Sequence, residues 1–530
     1  MLILRWFFVA MCVFPGFLEA ARILAIFPIL SPSHYIYVLP YLKSLASLGH
    51  EVTFLNPFPS KEPVKNIRDI PIPEVMEGVE DILKLLTTPM NTWKAAEIVH
   101  EYGLNLTKKV FNNDAVRREI LKPGKANFDL IIVDVWRSEA LYGLAVYFEA
   151  PIIGVAPYGT DWKIDELVGN TSPVSYLQSS FHKMSVPDTE TFGGRLSNFV
   201  EQSINWLNWN WGYAAKHEAL YRKYFPNIAD KHSLSKVSRD FSLIFVNQHF
   251  TLAPPRPYVP NIIEVAGLHV QQEPQALPTD LEEFIQGAGE DGVIYFSLGS
   301  NIKSKTLSQE RLKVILQAFS SLPQRVLWKF DEENLPEMPS NVFISKWFPQ
   351  QDILAHPKVR LFVTHGGLLS TIESIHYGTP MLGLPFFFDQ FRNIEYVIRQ
   401  GLGLALNFNE MTAEELNSTI HRLLTEKAFD DKVRTTSARY KDKPMTPLDT
   451  AIWWTHYVLR HKGAPHMRVS GRKLDFFTYH SLDVLGTLIG GFLFVLGIVF
   501  ICIVLCVKKC VKPRKVYNTN NNKRQKLKKR

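Results

Sequence analysis

Short apolar runs of strand length alternate with helical patterns, and this alternation occurs twice along the chain. RILAIFPI (residues 22–29) is followed by SPSH and then by YIYVLPYLKSLASLG, whose helical spacing ends at Gly49; EVTFL (51–55) reads as strand again. FDLIIVD (128–134) and PIIGVAP (151–157) are further runs of the same kind. Runs that are apolar throughout suit strands covered on both faces, so the series implies βαβ units and a parallel sheet. A polar, Pro-punctuated linker, GLHVQQEPQALPTD (267–280), follows, and the rhythm then restarts. GVIYFSLGS (292–300) is strand then turn, RLKVILQAFSSLP is helical, and RVLWKF, NVFISKWF, VRLFVTHGG and PMLGLP each read as strand. At 530 residues the chain exceeds one core. The implied architecture is two parallel α/β domains facing across a cleft. Residues 160–240, including WLNWNWGY (206–213), read as helical and aromatic, which suits either lipophilic ligands or contact with a membrane interface.

The net charge of +8 would suggest nucleic acid until it is located. Residues 508–530 hold 11 Lys/Arg and no Asp or Glu, which leaves 48 basic against 51 acidic residues in the remainder. The basicity therefore belongs to the tail, and nucleic-acid binding loses its support.

Both ends read as targeting signals. One Arg, an apolar run and the small residues Ala20 and Ala21 describe a cleaved secretory signal over residues 1–21. Residues 484–507 carry no charge, and 24 residues of helix span about 36 Å, enough for a bilayer core. With a basic tail at 508–530, the positive flank stays cytoplasmic and the preceding residues face the lumen, a type I topology. The intervening chain divides into a first domain (22–270), a second domain (271–455) and a connecting segment (456–483). The four cysteines, Cys12, Cys502, Cys506 and Cys510, all lie outside these domains, so neither a disulfide framework nor a Cys-bound metal is expected there. Asn105, Asn170 and Asn417 begin glycosylation triplets. Lys526 and Lys528 stand fifth and third from the end, the spacing of a dilysine ER-retrieval signal.

The most informative stretch is FVTHGGLLSTIESIHYGTPMLGLPFFFDQ (362–390). A strand ends in His365-Gly366-Gly367 and a helix begins at once. Two glycines let the backbone approach a ligand, and free N–H groups at the helix start favour an anion such as a diphosphate. Glu373, two turns in, suits a ribose diol, and Asp389-Gln390 follow a strand end, where ligand groups converge.

This stretch resembles the signature of the UDP-glycosyltransferase family in its membrane-bound animal form, and LLSTIES resembles the insect-type branch. The resemblance extends to SLGS (297–300), WFPQQDILAHP (347–357), WWTHYVLRHKGAPHMR, the apolar span and the basic tail. It implies a GT-B fold, with UDP-sugar held by the second domain and the acceptor by the first. By the same resemblance Trp347 would stack on uracil, Gln350 would contact the nucleoside, Ser300, His365 and Gly367 would face the diphosphate, Glu373 would hold ribose, and Asp389 and Gln390 the sugar hydroxyls. Many relatives carry Asn two places after the HGG triplet; Leu369 stands there, so no side-chain amide reaches the phosphate from this position.

Sugar transfer to a hydroxyl needs a general base, because an alcohol is a poor nucleophile at neutral pH. His34 sits where the first strand run passes into the first helix, and Asp134 ends a later strand of the same sheet; the resemblance assigns base and orienting carboxylate to these positions. The expected reaction is attack on the anomeric carbon opposite UDP, with inversion, and without metal, since no D-x-D occurs in the chain. The expected substrates are a UDP-sugar, with glucose favoured, and a small lipophilic acceptor, in detoxification or hormone and pigment conjugation; no separate cofactor is expected. A homo-oligomer is compatible with the sequence. The rival classes are a non-catalytic lumenal binding or escort protein that kept the fold, and a single-pass receptor.

Overall fold

The structure, a computed structural model, describes residues 20–60, 62–87, 90–124, 126–178, 188–300, 302, 307–332, 335 and 337–511. The signal expected over 1–21 lies almost entirely outside the described residues, as do Lys526, Lys528 and the tail beyond 511. The chain divides after Arg472 into two units.

The first unit contains two sheets. One is built from β1 (Arg22–Ile26), β2 (Glu51–Asn56), β3 (Ile67–Pro71), β4 (Leu130–Asp134), β5 (Ile152–Ala156), β6 (Leu243–Val246) and β7 (Ile262–Glu264), in the order β3-β2-β1-β4-β5-β6-β7. The other is built from β8 (Val293–Ser297), β9 (Arg325–Lys329), β10 (Val342–Ser345), β11 (Val359–Thr364), β12 (Met381–Gly383) and β13 (Gly403–Ala405), in the order β10-β9-β8-β11-β12-β13. Every pairing is parallel. Each sheet therefore reverses direction once, between β1 and β4 and between β8 and β11, and the crevice beyond the strand ends at such a reversal is where ligands bind in open α/β sheets. Two Rossmann-like halves, the pair that a GT-B fold requires, are thus present.

Four strands, β3, β6, β7 and β13, were not legible as strands. β3 (IRDIP) sets two adjacent charges between apolar residues and ends in Pro71, as suits an edge, while β7 and β13 are only three residues long.

Helix α1 (Pro32–Ser47) begins with Pro at its first turn, where the missing N–H costs nothing, and buries Tyr37, Val38, Tyr41, Leu42 and Leu45 against the first sheet. Helices α2 (Val79–Thr87) and α3 (Thr92–Asn112) follow β3. In the second half, α4 (Gln350–Ala355), α5 (Leu368–Tyr377) and α6 (Asp389–Arg399) succeed β10, β11 and β12. Helix α7 (Pro447–Arg460) then returns to the first sheet: Ala451 and Val458 are fully buried in the same apolar cluster as Tyr41 and Leu45. The boundary expected at residue 455 falls inside this helix, because its apolar face is buried on α1 rather than on the second sheet.

In the second unit, α8 (Leu482–Cys510) is 29 residues long with mean hydropathy 3.1, long and apolar enough to cross a membrane. The span expected over 484–507 lies within it.

Candidate active site

Register decides which side chains meet. Ile26 pairs with Val133, so the chain leaving β1 emerges beside the last residue of β4, Asp134. His34, on the first turn of α1, then places its Nδ1 2.5 Å from Asp134 Oδ2. Asp134 is fully buried, and its other oxygen accepts the Trp136 backbone N–H at 3.0 Å. An ionised carboxylate can only accept, so Nδ1 carries the proton and donates, which leaves Nε2 with its lone pair. His34 lines a cavity of about 520 Å³; Asp134 stands behind it.

On the second sheet Ser297 pairs with Thr364, so the turn after β8 and the HGG turn after β11 emerge side by side. Gly299 and Gly366 both adopt φ 79°, and the His365 ring packs against Gly299 and Gly367 so closely that a Cβ at either would collide with it. Burial, with Lys329 nearby, lowers His365 to about 4, and its Nδ1 is buried with no hydrogen-bond partner among the described residues. The imidazole is neutral at pH 7, a hydrogen-bonding group rather than a charge. Ser300 lines the same cavity; the next helix among the described residues, Gln309–Ser320, is capped by Ser308, which accepts from Arg311 N.

Trp347 is 63% exposed and offers a flat face to the cavity. Gln350, at the start of α4, accepts from the Tyr295 hydroxyl at 3.2 Å and donates to Ser370 Oγ at 3.0 Å and Glu373 Oε2 at 2.5 Å. Gln351 and His269 also approach Glu373 Oε1, at 3.3 Å and 3.0 Å. Asp389 opens α6 after Phe388, whose φ of 53° is a rare conformation for a bulky residue. Burial raises the Asp389 carboxyl, against the opposing influence of Arg392 and a 2.8 Å hydrogen bond from Asn393. Asn393 also donates to Gly366 O at 2.9 Å, tying α6 to the HGG turn. Gln390 accepts from the Phe386 and Phe387 amides through Oε1, so this oxygen is structural.

All eight donor-side residues expected from sequence line one cavity together with His34. His269, Asn393 and Lys329 were missed. Lys329 ends β9, donates to Gly299 O at 2.8 Å and lies 4.6 Å over the Trp347 ring; it is the only Lys or Arg lining the cavity among the described residues. No motif marks it, because its place depends on strand order. Leu369 lines the cavity and packs on the first sheet's apolar cluster.

Two expectations are corrected. Among the described residues, none of 160–240 lines this cavity: Trp209 and Tyr213 are spent on a separate cluster with Leu104, while Phe192 and Trp211 are exposed. The apolar walls near His34 come instead from α1, α2, α3, Trp136 and Tyr158. A glycan on Asn170 is incompatible with this packing, since Asn170 is buried, donating to Asp165 at 2.8 Å and accepting from Val259 N at 3.1 Å. Asn105 is exposed on α3, and half-buried Asn417 donates to Ser321.

Comparison with known proteins agrees with this geometry. The family model described as UDP-glucoronosyl and UDP-glucosyl transferase matches residues 31–516. UDP-glucosyltransferase 2 of Dactylopius coccus is 34% identical, over 100% of this chain and 99% of its own length. UDP-glucuronosyltransferase 2A2 of Homo sapiens is 29% identical, over 91% of each. Among solved structures, the calicheamicin glycosyltransferase CalG4 superposes with TM-score 0.51 and the spinosyn forosaminyltransferase SpnP with 0.53, at 17% and 14% identity, each over 83% of this chain and 99% and 100% of its own. These last likenesses show the GT-B fold. By family match and by relatives aligned from end to end, the chain belongs to the UDP-glycosyltransferases.

Proposed function

We propose that this UDP-glycosyltransferase moves glucose from UDP-glucose to a hydroxyl of small lipophilic acceptors, with inversion, using His34 as general base and Asp134 as its orienting carboxylate. The observation that carries this reading is the 2.5 Å His34–Asp134 contact in the cavity that the donor-side residues also line. Nε2 of His34 accepts the acceptor's proton, the oxygen attacks the anomeric carbon from the face opposite UDP, and Asp134 stabilises the imidazolium that forms. The departing diphosphate is met by the N–H groups at the start of α5, by neutral His365 and by Lys329, whose charge is the one cation offered by the described cavity wall. A non-catalytic escort role leaves the His34–Asp134 pair without a use, and is not favoured.

Glucose is preferred over glucuronate because a buried carboxylate needs a cationic partner. Asp389 and Gln390 are an acid and an amide. Arg392, one helical turn on, lines a different and smaller pocket with Asp161 and Arg256. The apolar C-terminal helix followed by basic residues supports residence in the ER membrane with the two sheets lumenal, and small lipophilic acceptors suit detoxification or the conjugation of hormones or pigments.

The test is product formation from UDP-glucose and UDP-glucuronic acid over a panel of phenols and alcohols, with His34→Ala alongside. A higher kcat/KM for UDP-glucose, abolished by His34→Ala while UDP still binds, is expected. Turnover retained in His34→Ala sinks the base assignment, and preference for the glucuronate donor sinks the choice of sugar.

A further inference from the structure

The catalytic cavity does not end at His34. Ile82 of α2 and Ile98 and Tyr102 of α3 line it, and the same three residues line a second cavity of about 500 Å³ between α2 and α3. The two spaces therefore adjoin across three side chains. Tyr102 is a fixed post at this junction: its hydroxyl accepts the Leu30 N–H at 3.1 Å and its ring meets Trp136 edge-on at 5.3 Å. The isoleucines on either side have no such anchors, only rotamers.

Beyond the junction the floor is apolar. Val75 and Leu106 come from the core of the first sheet, and half-exposed Leu85 stands further out on α2. The rim carries three acidic and three basic side chains: Lys94 pairs with Glu97 at 2.9 Å, Lys109 with Glu77 at 3.5 Å and Glu101 with Lys216 at 3.6 Å, while Lys108 donates to Asn105 at 3.1 Å. A rim with equal numbers of acidic and basic side chains offers no net attraction to an ionic ligand, whereas an apolar floor rewards each methylene removed from water.

Resting on the transferase reading above, we propose that acceptor binding continues from the catalytic chamber past Ile82, Ile98 and Tyr102 into this groove. The preferred acceptors then carry an apolar chain of several carbons at the end opposite the reacting hydroxyl. The chamber holds the body beside His34, and the groove holds the tail. Acceptor selection thus depends on length as well as on lipophilicity.

A series of 4-n-alkylphenols from methyl to octyl tests this with full-length protein in membranes, measuring kcat/KM and equilibrium binding. The quantity read is the octyl-to-methyl ratio, compared between wild type and variant in the same membranes so that partitioning cancels. Complete burial is worth up to about fourfold per methylene, so a high ratio is expected for wild type. Ile98→Trp, which narrows the junction, and Leu85→Asp, which puts a charge in the outer groove, should each lower it at least ~10-fold. Leu85 is exposed, so its variant folds even where the tryptophan is not accommodated. A wild-type ratio near one, or a ratio unchanged in Leu85→Asp, overturns the proposal. Absence of transfer to every phenol would overturn the transferase reading instead, and the ratio of dissociation constants would still decide the groove.

Discussion

Tyr41 on α1 and Thr455 on α7 lie 414 residues apart in sequence, and their hydroxyl oxygens are 2.5 Å apart in a fully buried contact. Thr455 Oγ1 donates its own proton to Ala451 O at 2.7 Å, so Tyr41 must be the donor between them. The two substitutions should therefore differ. Thr455→Val keeps the shape but strands a buried phenol, costing ~1–3 kcal/mol, whereas Tyr41→Phe leaves a hydroxyl that still has one partner and costs about 1 kcal/mol or less. Chemical denaturation of both variants and of the double variant checks this. A larger loss for Tyr41→Phe would show the donor direction to be reversed.

Trp347→Ala and Glu373→Ala should raise the Michaelis constant for the donor ~10-fold or more and leave that for the acceptor nearly unchanged. An aromatic platform is worth ~1–3 kcal/mol per stacked base. Removing the Glu373 carboxylate also releases Gln350, Gln351 and His269, which converge on it. Initial-rate kinetics with each substrate varied in turn provide the measurement; a defect confined to the acceptor would reverse the assignment of the two sheets.

Lys329→Met separates the diphosphate from the nucleoside. A charged contact contributes ~1.5–3 kcal/mol, so inhibition by UDP should weaken ~10- to 100-fold while inhibition by uridine changes little. Because the ammonium lies 4.6 Å over the Trp347 ring, it has an alternative role in holding that ring flat. Equal losses for UDP and uridine would mean that the ring, and not the leaving group, depends on Lys329.

His217 is fully buried against Trp209, and burial, with Lys163 nearby, lowers its imidazole to about 3. Between about pH 3 and 6.5 the folded chain keeps this group neutral while the unfolded chain protonates it, so the unfolded state binds more protons and stability is lost on acidification. His217→Phe removes that linkage. The variant should lose ~2 kcal/mol less than wild type between pH 7 and pH 5, since each proton is worth ~1.4 kcal/mol per pH unit below 6.5. Melting curves at the two pH values decide it: parallel losses in both proteins would show that His217 is already protonated when folded.

What the sequence by itself determined is local. Apolar runs ending in turns placed His34, Ser300 and His365 beyond strand ends, because the turn, SPSH at His34 or Gly299 and Gly366 at φ 79° in the second half, and the helix start after it are local features of the sequence. Asp134 was legible for the same reason, as the last residue of a buried strand. The tertiary structure alone decided adjacency. That β1 lies beside β4 and β8 beside β11 makes two distant strand ends into one site, and nothing within either segment states that order. Lys329 over Trp347, His269 beside Glu373 and the return of α7 to α1 depend on it too. So does the supply of the apolar wall near His34 by α2 and α3 rather than by the aromatic 160–240 region, whose Trp209 and Tyr213 had found partners of their own. An aromatic residue reports that apolar surface will be buried; only the packing of the whole chain determines against what.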